Sequence, residues 1–157
     1  MKKLIFLLLI LFLITSCSIF KSFKKEVHFQ TQYLPEQFQD LYLNMPFSEF
    51  EKTRNINKME RSDIMSFRIS YEEHNPENNI NNVTYYIDNE GNLPLYELII
   101  EYNQNFDLTN YIKNKYGSPN FGTEWLYDSK EGFMIKIWTF DNKLVIAGAI
   151  KGTEWNN

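Results

Sequence analysis

The chain has 157 residues, 43% of them hydrophobic and 17% aromatic, which is a composition typical of one globular domain and not of a disordered segment. Its 20 acidic residues outnumber its 16 basic ones, and this excludes the basic footprint of a nucleic-acid-binding protein. Cys17 is the single cysteine, so the chain can form neither an internal disulfide nor a thiolate metal cluster.

Residues 1–16 predict a secretory signal. Two lysines precede an unbroken apolar run over 4–14, and two small residues follow it directly before Cys17. The run is shorter than the ~20 residues that a permanent membrane-spanning helix requires. Removal of the signal would leave 141 residues, in which the loss of the two lysines reduces the basic residues from 16 to 14 against 20 acidic ones.

The segment Ile14-Thr15-Ser16-Cys17 resembles the lipobox of bacterial lipoproteins. This resemblance implies a lipid on the sulfur of Cys17, cleavage before it, and the membrane as a partner. Ser18 is not the aspartate associated with inner-membrane retention in some bacteria, which favours the outer membrane; the domain could face the periplasm or the outside. An ordinary signal peptide beside a stray cysteine is the alternative.

Residues 17–33 predict a lipidated tether, because their apolar side chains follow neither a helical nor a strand period. Its lysines could rest on anionic head groups, or they could belong to a solvated spacer. Residues 34–157 then form the folded domain.

Two short helices open the domain. Leu34-Pro35-Glu36 favours a helix start, since proline is tolerated in the first turn. Ser48 and Glu51 form a capping-box pattern, which predicts a second helix over about 49–55.

A meander of three strands follows. Apolar and polar residues alternate from Phe67 to Glu72, the Asn-rich stretch 74–82 predicts a loop, and 83–87 predicts the next strand. After a turn at 89–92, residues 95–102 predict a strand. Its alternation places Tyr96, Leu98, Ile100 and Tyr102 on one face and Glu97 and Glu101 on the other.

The second half repeats this order. Asp107 predicts a helix N-cap, Phe106 and Tyr111 a hydrophobic staple, and Gly117 the helix end. Strands are predicted over 124–127, 133–140 and 143–150, the last two joined by a tight turn. Because residues 144–150 are apolar on both faces, this last strand is expected in the centre of the sheet.

These elements predict an α+β fold in which short helices pack on one face of an antiparallel sheet. The repeated order also raises a possible tandem duplication of an αβββ unit, although no run of identities accompanies it.

Two stretches resemble known families. Residues 41–48 (Leu-Tyr-Leu-Asn-Met-Pro-Phe-Ser) are similar to the helix, Gly-Met-Thr, helix entry of the BamE/SmpA-like outer-membrane assembly lipoproteins. Residues 115–119 (Lys-Tyr-Gly-Ser-Pro), with the aromatic stretches 125–127 and 137–140, resemble the later part of that family, and β-lactamase inhibitor proteins resemble two such units in tandem. The resemblance implies a helix pair on an antiparallel sheet, and a protein that works by binding other proteins.

No residue pattern predicts catalysis, a cofactor or a metal. Serine stands in no nucleophile motif and the glycines form no phosphate loop. Glu72, Glu73 and His74 could share a metal, but neighbours on a strand point to opposite faces and no second ligand cluster is evident. We therefore expect a non-enzymatic protein; a hydrolase that uses a carboxylate pair is an alternative.

Aromatic residues predict the binding surface. The few helices cover one sheet face, so Tyr86, Trp138 and Phe140 are candidates for the uncovered face, where they would bind a protein partner. Core packing is the alternative for them, and Trp155 could fold back over that face or hang free. An inhibitor or ligand-binding module would use the same aromatic surface.

Overall fold

The computed structural model describes residues 27–63 and 65–156, and within them the chain forms two α-helices and an eight-stranded antiparallel sheet. The helices are α1 (Phe47–Thr53) and α2 (Leu108–Tyr116). The strands are β1 (Met45–Pro46), β2 (Glu60–Ser62), β3 (Arg68–Glu77), β4 (Ile80–Asp88), β5 (Pro94–Tyr102), β6 (Trp125–Asp128), β7 (Met134–Phe140) and β8 (Lys143–Gly148). Short 3₁₀ turns span Phe29–Tyr33, Glu36–Phe38 and Ile56–Lys58. The predicted α+β class is confirmed.

The two halves of the chain join in the middle of the sheet. The strand order is β2-β3-β4-β5-β8-β7-β6, and β1 pairs with the first residues of β5. Residues 144–147 of β8 are fully buried between β5 and β7, which confirms the predicted central position of the last strand. The first half supplies β1, α1 and then four strands, whereas the second half supplies α2 and then three strands; a duplication of one unit stays a prediction.

Both helices pack on the same face of the sheet. In α1, Phe50 is fully buried and its ring lies 5.1 Å from that of Tyr85 in β4. In α2, Leu108, Ile112 and Tyr116 are buried while Tyr111 is half-buried, and the Tyr116 ring lies 6.0 Å from that of Trp125. This face therefore holds the hydrophobic core.

The ends of α2 follow the sequence signals. The Asn110 N–H donates to Asp107 Oδ1 at 3.0 Å, and the rings of Phe106 and Tyr111 lie 5.5 Å apart, as expected for a staple. Gly117 ends the helix with a φ of 72°, an angle that glycine adopts without steric cost. The predicted cap, staple and helix end are confirmed.

The predicted cap of α1 is wrong. The helix begins at Phe47, and Ser48 lies inside it without capping it. The Phe47 N–H instead donates to the Leu93 carbonyl at 3.1 Å. A neighbouring segment therefore satisfies the first of the backbone donors at the helix start, and Ser48 takes no part in capping.

The predicted loop over 74–82 is also wrong, because β3 and β4 continue through it and meet at Asn78 and Asn79. Asn103 binds both turn carbonyls: its N–H donates to Asn79 at 3.0 Å and its side chain to Asn78 at 3.2 Å. A long-range partner thus orders a hairpin whose own composition favours a loop.

The folded part begins earlier than the predicted tether boundary at residue 33. Gln30 is 2% exposed, and its side chain donates to the Leu43 carbonyl and accepts from the Leu43 N–H, at 2.8 and 2.9 Å. The Tyr33 ring stacks on that of Tyr127 at 4.4 Å. The end of the segment 17–33 is therefore packed on the domain, which corrects that part of the prediction.

Candidate functional site

The face of the sheet opposite the helices, which we call the outer face, carries a mixture of aromatic and charged side chains. Residues that face each other on neighbouring antiparallel strands point to the same side of a sheet. One such row contains Lys136, Ala147, Glu97, Tyr86 and Ser70, and the next contains Trp138, Val145, Ile99, Thr84, Glu72 and Glu60.

An irregularity in β5 brings an additional tyrosine to the outer face. Glu97 pairs with Tyr86 whereas Leu95 pairs with Ile87, which leaves Tyr96 as the extra residue of a β-bulge. The Tyr96 ring lies 6.4 Å from that of Tyr86, and its hydroxyl donates a hydrogen bond to Glu154 in the C-terminal segment. The strict alternation expected for β5, with Tyr96 on the core side, is therefore wrong at this position.

Residues 150–156, which we call the C-terminal strap, cross the outer face after β8. Glu154 accepts two hydrogen bonds from Arg68 Nη1, at 2.9 and 3.3 Å, and one from the Tyr96 hydroxyl at 3.0 Å. Trp155 donates from Nε1 to Glu97 Oε2 at 3.2 Å, and its ring lies 5.2 Å edge-on to that of Trp138. The strap thus connects the two halves of the outer face, and Trp155 folds back over it.

Three aromatic side chains of the outer face each lie against a cation. The Arg68 guanidinium is 4.3 Å from the centre of the Tyr86 ring, and Lys136 Nζ is 5.4 Å from that of Trp138. Lys143 Nζ is 5.6 Å from the centre of the Phe140 ring. Each pair fits a cation–π contact, which holds the aromatic ring in place while part of it stays exposed.

Glu97 is a buried carboxyl group beside another acid. It is 3% exposed, and burial raises its pKa from 4.5 to about 7. The Glu154 carboxyl raises the pKa further, while the Trp155 N–H and the charge of Arg68 lower it. Burial also raises the pKa values of the Tyr86 and Tyr96 hydroxyls, which therefore stay protonated at neutral pH.

The three predicted binding residues all lie on the outer face, but they do not form one contiguous patch. Trp138 and Phe140 are both on β7, and Phe140 is 45% exposed. Tyr86 is on β4, three strand spacings or about 14 Å away. The strap lies between the two positions and links them. Cys17 lies outside the described residues.

Sequence reasoning missed several residues of this surface. Arg68, Glu97 and Glu154 looked like ordinary charged surface residues, because their strand or tail positions do not reveal what lies opposite them. One available signal was an acidic residue inside an apolar strand: Glu97 stands between Leu95 and Leu98 in a strand that pairs on both sides.

A cavity of about 460 Å³ lies between the start of α2 and the β7–β8 turn. Two polar residues of its wall already bind backbone groups: Asp107 caps α2, and the side chain of Asn142 donates to the carbonyls of Tyr102 and Asn103. These groups are not free to orient a ligand. The outer face is therefore the better candidate for a functional site.

The helices of residues 27–63 and 65–156 include none that is long and apolar enough to cross a membrane. Comparison of the chain with models of known protein families, with characterised proteins and with solved structures found no match. Function must therefore be argued from the outer face and from the sequence motifs.

Proposed function

We propose that this chain is a lipid-anchored protein of the bacterial envelope, held by Cys17 on the outer membrane, and that it binds a protein partner with the outer face of its sheet without catalysing a reaction. The anchor rests on the lipobox resemblance of residues 14–17. The binding role rests on the geometry of the sheet.

One observation supports the binding role. The rings of Tyr86, Trp138 and Phe140 are partly exposed on the sheet face that has no helices, and each is held by a cation. Tyr, Trp and Arg are enriched in protein interfaces and dominate their energetics. Rings held by Arg68, Lys136 and Lys143 lose little side-chain entropy when a partner covers them, because they are ordered beforehand.

The charge of the outer face indicates the chemistry of the partner. Acidic side chains exceed cationic ones: the acids are Glu60, Glu72, Asp88, Glu97, Glu101, Glu124 and Glu154, and the cations are Arg68, Lys136, Lys143 and, on the strap, Lys151. Complementary potentials favour association and suppress wrong partners. We therefore assign a basic protein surface with apolar groups as the partner.

Site-specific photo-crosslinking in intact cells tests this proposal. A photoreactive amino acid at Phe140, which is 45% exposed on the outer face, should yield an adduct with another protein. The same amino acid at Glu51, an exposed position on α1 at the opposite side of the sheet, is the matched control and should yield none. An absence of adducts at Phe140, or equal adducts at both positions, would contradict the assigned surface.

Trp138→Ala should reduce the crosslinking yield from Phe140 at least about tenfold, because truncation of a hot-spot aromatic residue at the centre of an interface costs about 2 kcal/mol or more, and about 1.4 kcal/mol corresponds to tenfold. The domain should stay folded, since the Trp138 ring is only partly buried and contacts the strap. Quantitative mass spectrometry measures the yield, and near-ultraviolet circular dichroism checks the fold. Phe29→Ala, at an exposed residue beside Tyr33 on the helix side, should leave the yield unchanged. A Trp138→Ala protein that unfolds would instead assign Trp138 to the core.

Cys17→Ser should abolish incorporation of labelled palmitate and move the protein from the membrane fraction to the soluble one, since the thioether requires the Cys17 sulfur. Gel fluorography and fractionation measure both effects. Ser18→Asp is the control: it should keep the label but shift the protein toward the inner membrane. A label that persists in Cys17→Ser would disprove the anchor.

An inhibitor or ligand-binding module would use the same aromatic face, and the identity of the crosslinked partner distinguishes such a module from the proposed function.

A carboxylate-based hydrolase is less well supported by the geometry. The carboxyl groups of Glu97 and Glu154 lie within hydrogen-bonding reach of each other, whereas glycosidases separate theirs by about 5 Å or more. Glu97 is also buried beneath Trp155.

A further inference from the structure

We propose that Glu60, Glu72 and His74 bind a divalent transition-metal ion of the zinc class at the β2–β3 edge of the outer face. Each of the three residues offers one ligand atom, and these atoms all lie within 4.8 Å of one another. The sequence predicted no such site, because the group becomes visible only when β2 pairs with β3.

The strand register brings the three side chains together. Glu60 in β2 lies directly opposite Glu72 in β3, so both point to the same side of the sheet. His74 follows Glu72 by two residues and shares that side. Glu73, which lies between them in the sequence, points to the other side and accepts a hydrogen bond from the Tyr85 hydroxyl at 2.7 Å.

The charges of the site are incomplete without a cation. Like charges directly opposite each other on paired strands are destabilising. Among the described residues, neither Glu60 nor Glu72 forms an ion pair with a lysine or arginine, and His74 Nε2 lies 3.5 Å from Glu60 Oε1. A divalent ion would neutralise both carboxylates and fasten the three-residue β2 to the sheet.

Distances and donor types favour zinc or a similar ion. Ligands at about 2.0–2.2 Å in a tetrahedral arrangement stand about 3.4 Å apart, close to the separation of His74 Nε2 and Glu60 Oε1. Asn82 Nδ2 donates to Glu72 Oε2 at 3.5 Å and orients this carboxylate, as outer partners of metal ligands commonly do. Imidazole with two carboxylates suits zinc, manganese and cobalt, whereas calcium and magnesium prefer oxygen donors alone.

The site is open to solvent, which gives an ion a path to it. The side chains of His74 and Glu60 are 49% and 79% exposed. Three protein ligands leave at least one coordination position for water or for a side chain of another protein.

Titration of the full chain, produced without a histidine tag and treated with EDTA, tests the site with Zn²⁺ in a calorimeter and with Co²⁺ by visible absorption. One ion should bind per chain. His74→Gln and Glu72→Gln should each weaken binding by at least about tenfold, since even the loss of an outer partner of a ligand costs that much. Two controls should bind as the wild type does: His28→Gln, which removes the other histidine, and Glu77→Gln, which removes an exposed carboxylate from the same strand.

A second measurement does not depend on any variant. In nuclear magnetic resonance spectra of the wild-type chain, Zn²⁺ should shift the ring signals of His74 and leave those of His28 in place. No binding to the wild type, undiminished affinity in His74→Gln, or a shift at His28 alone would each overturn the proposal.

Discussion

Phe50→Ala is expected to destabilise the domain by about 3–5 kcal/mol, the cost of removing a large aromatic side chain from a packed core. Phe50 is fully buried, and its ring contacts those of Tyr85 and Tyr71 at 5.1 and 6.2 Å. It is also the one residue of α1 that is fully enclosed, so this seven-residue helix depends on it for its attachment to the sheet. Equilibrium unfolding in urea, followed by circular dichroism, measures the change.

Phe140→Ala is the matched control for that experiment, because it removes the same side chain from an exposed position on the outer face. Its cost should be about 1 kcal/mol or less. Equal losses in the two variants would mean that α1 does not cover the core as described.

Glu97 should make the domain more stable at mildly acidic pH than at alkaline pH. Burial raises its pKa in the folded protein from 4.5 to about 7, so the folded state holds this proton more tightly than the unfolded state does. The resulting stabilisation is complete below pH 4.5 and is lost as the pH rises through 7. A pKa difference of this size corresponds to a change of about 3 kcal/mol in the free energy of unfolding between the acidic and the alkaline pH limits.

The groups around Glu97 come from three other elements: Arg68 on β3, Tyr86 on β4, and Glu154 and Trp155 on the strap, beside its own neighbour Tyr96. Arg68 already pairs with Glu154, which leaves Glu97 without a full counter-charge. The proton is therefore the simplest means of neutralising it.

Glu97→Gln should remove most of this pH dependence and should be more stable than the wild type at pH 8. Glutamine carries no charge, and its side-chain oxygen can still accept the hydrogen bond from Trp155. Urea unfolding at pH 5 and pH 8 measures the difference. Glu101→Gln, at a partly exposed glutamate paired with Lys143, is the control and should keep the wild-type pH dependence. An unchanged slope in Glu97→Gln would assign the effect to other groups.

The sequence correctly predicted the elements that are stabilised by contacts between residues close together in the chain. The Asp107 cap and the staple of Phe106 on Tyr111 lie within one helical turn, and both occur in the structure. The apolar run of β8 likewise required a position between two other strands, because both of its faces must be buried.

The predictions from the sequence were wrong where a residue far away in the chain supplies the hydrogen-bond partner of a turn or a helix start. Asn103 stabilises the Asn78-Asn79 turn, and the Leu93 carbonyl accepts from the first backbone N–H of α1, which begins one residue before Ser48. The bulge at Tyr96 changes which side chain reaches the outer face, and alternation alone cannot reveal it. These contacts depend on the completed sheet.

The aromatic residues of the candidate site could be predicted from the sequence, but its charged residues could not. The excess of aromatic strand residues over helices able to cover them indicated that Tyr86, Trp138 and Phe140 would share a free face. Glu154 and Arg68 are 86 positions apart, and nothing near either residue indicates their pairing. The same holds for Glu60, whose three-residue strand is too short to produce a visible period.

The central place of β8 has a consequence for the synthesis of the protein. Residues 143–148 come later in the chain than β5 and β7, yet they fill the gap between these two strands. Until they have been synthesised, β5 presents an open hydrogen-bonding edge. A nascent chain of this kind cannot close its sheet before residue 148 has been made.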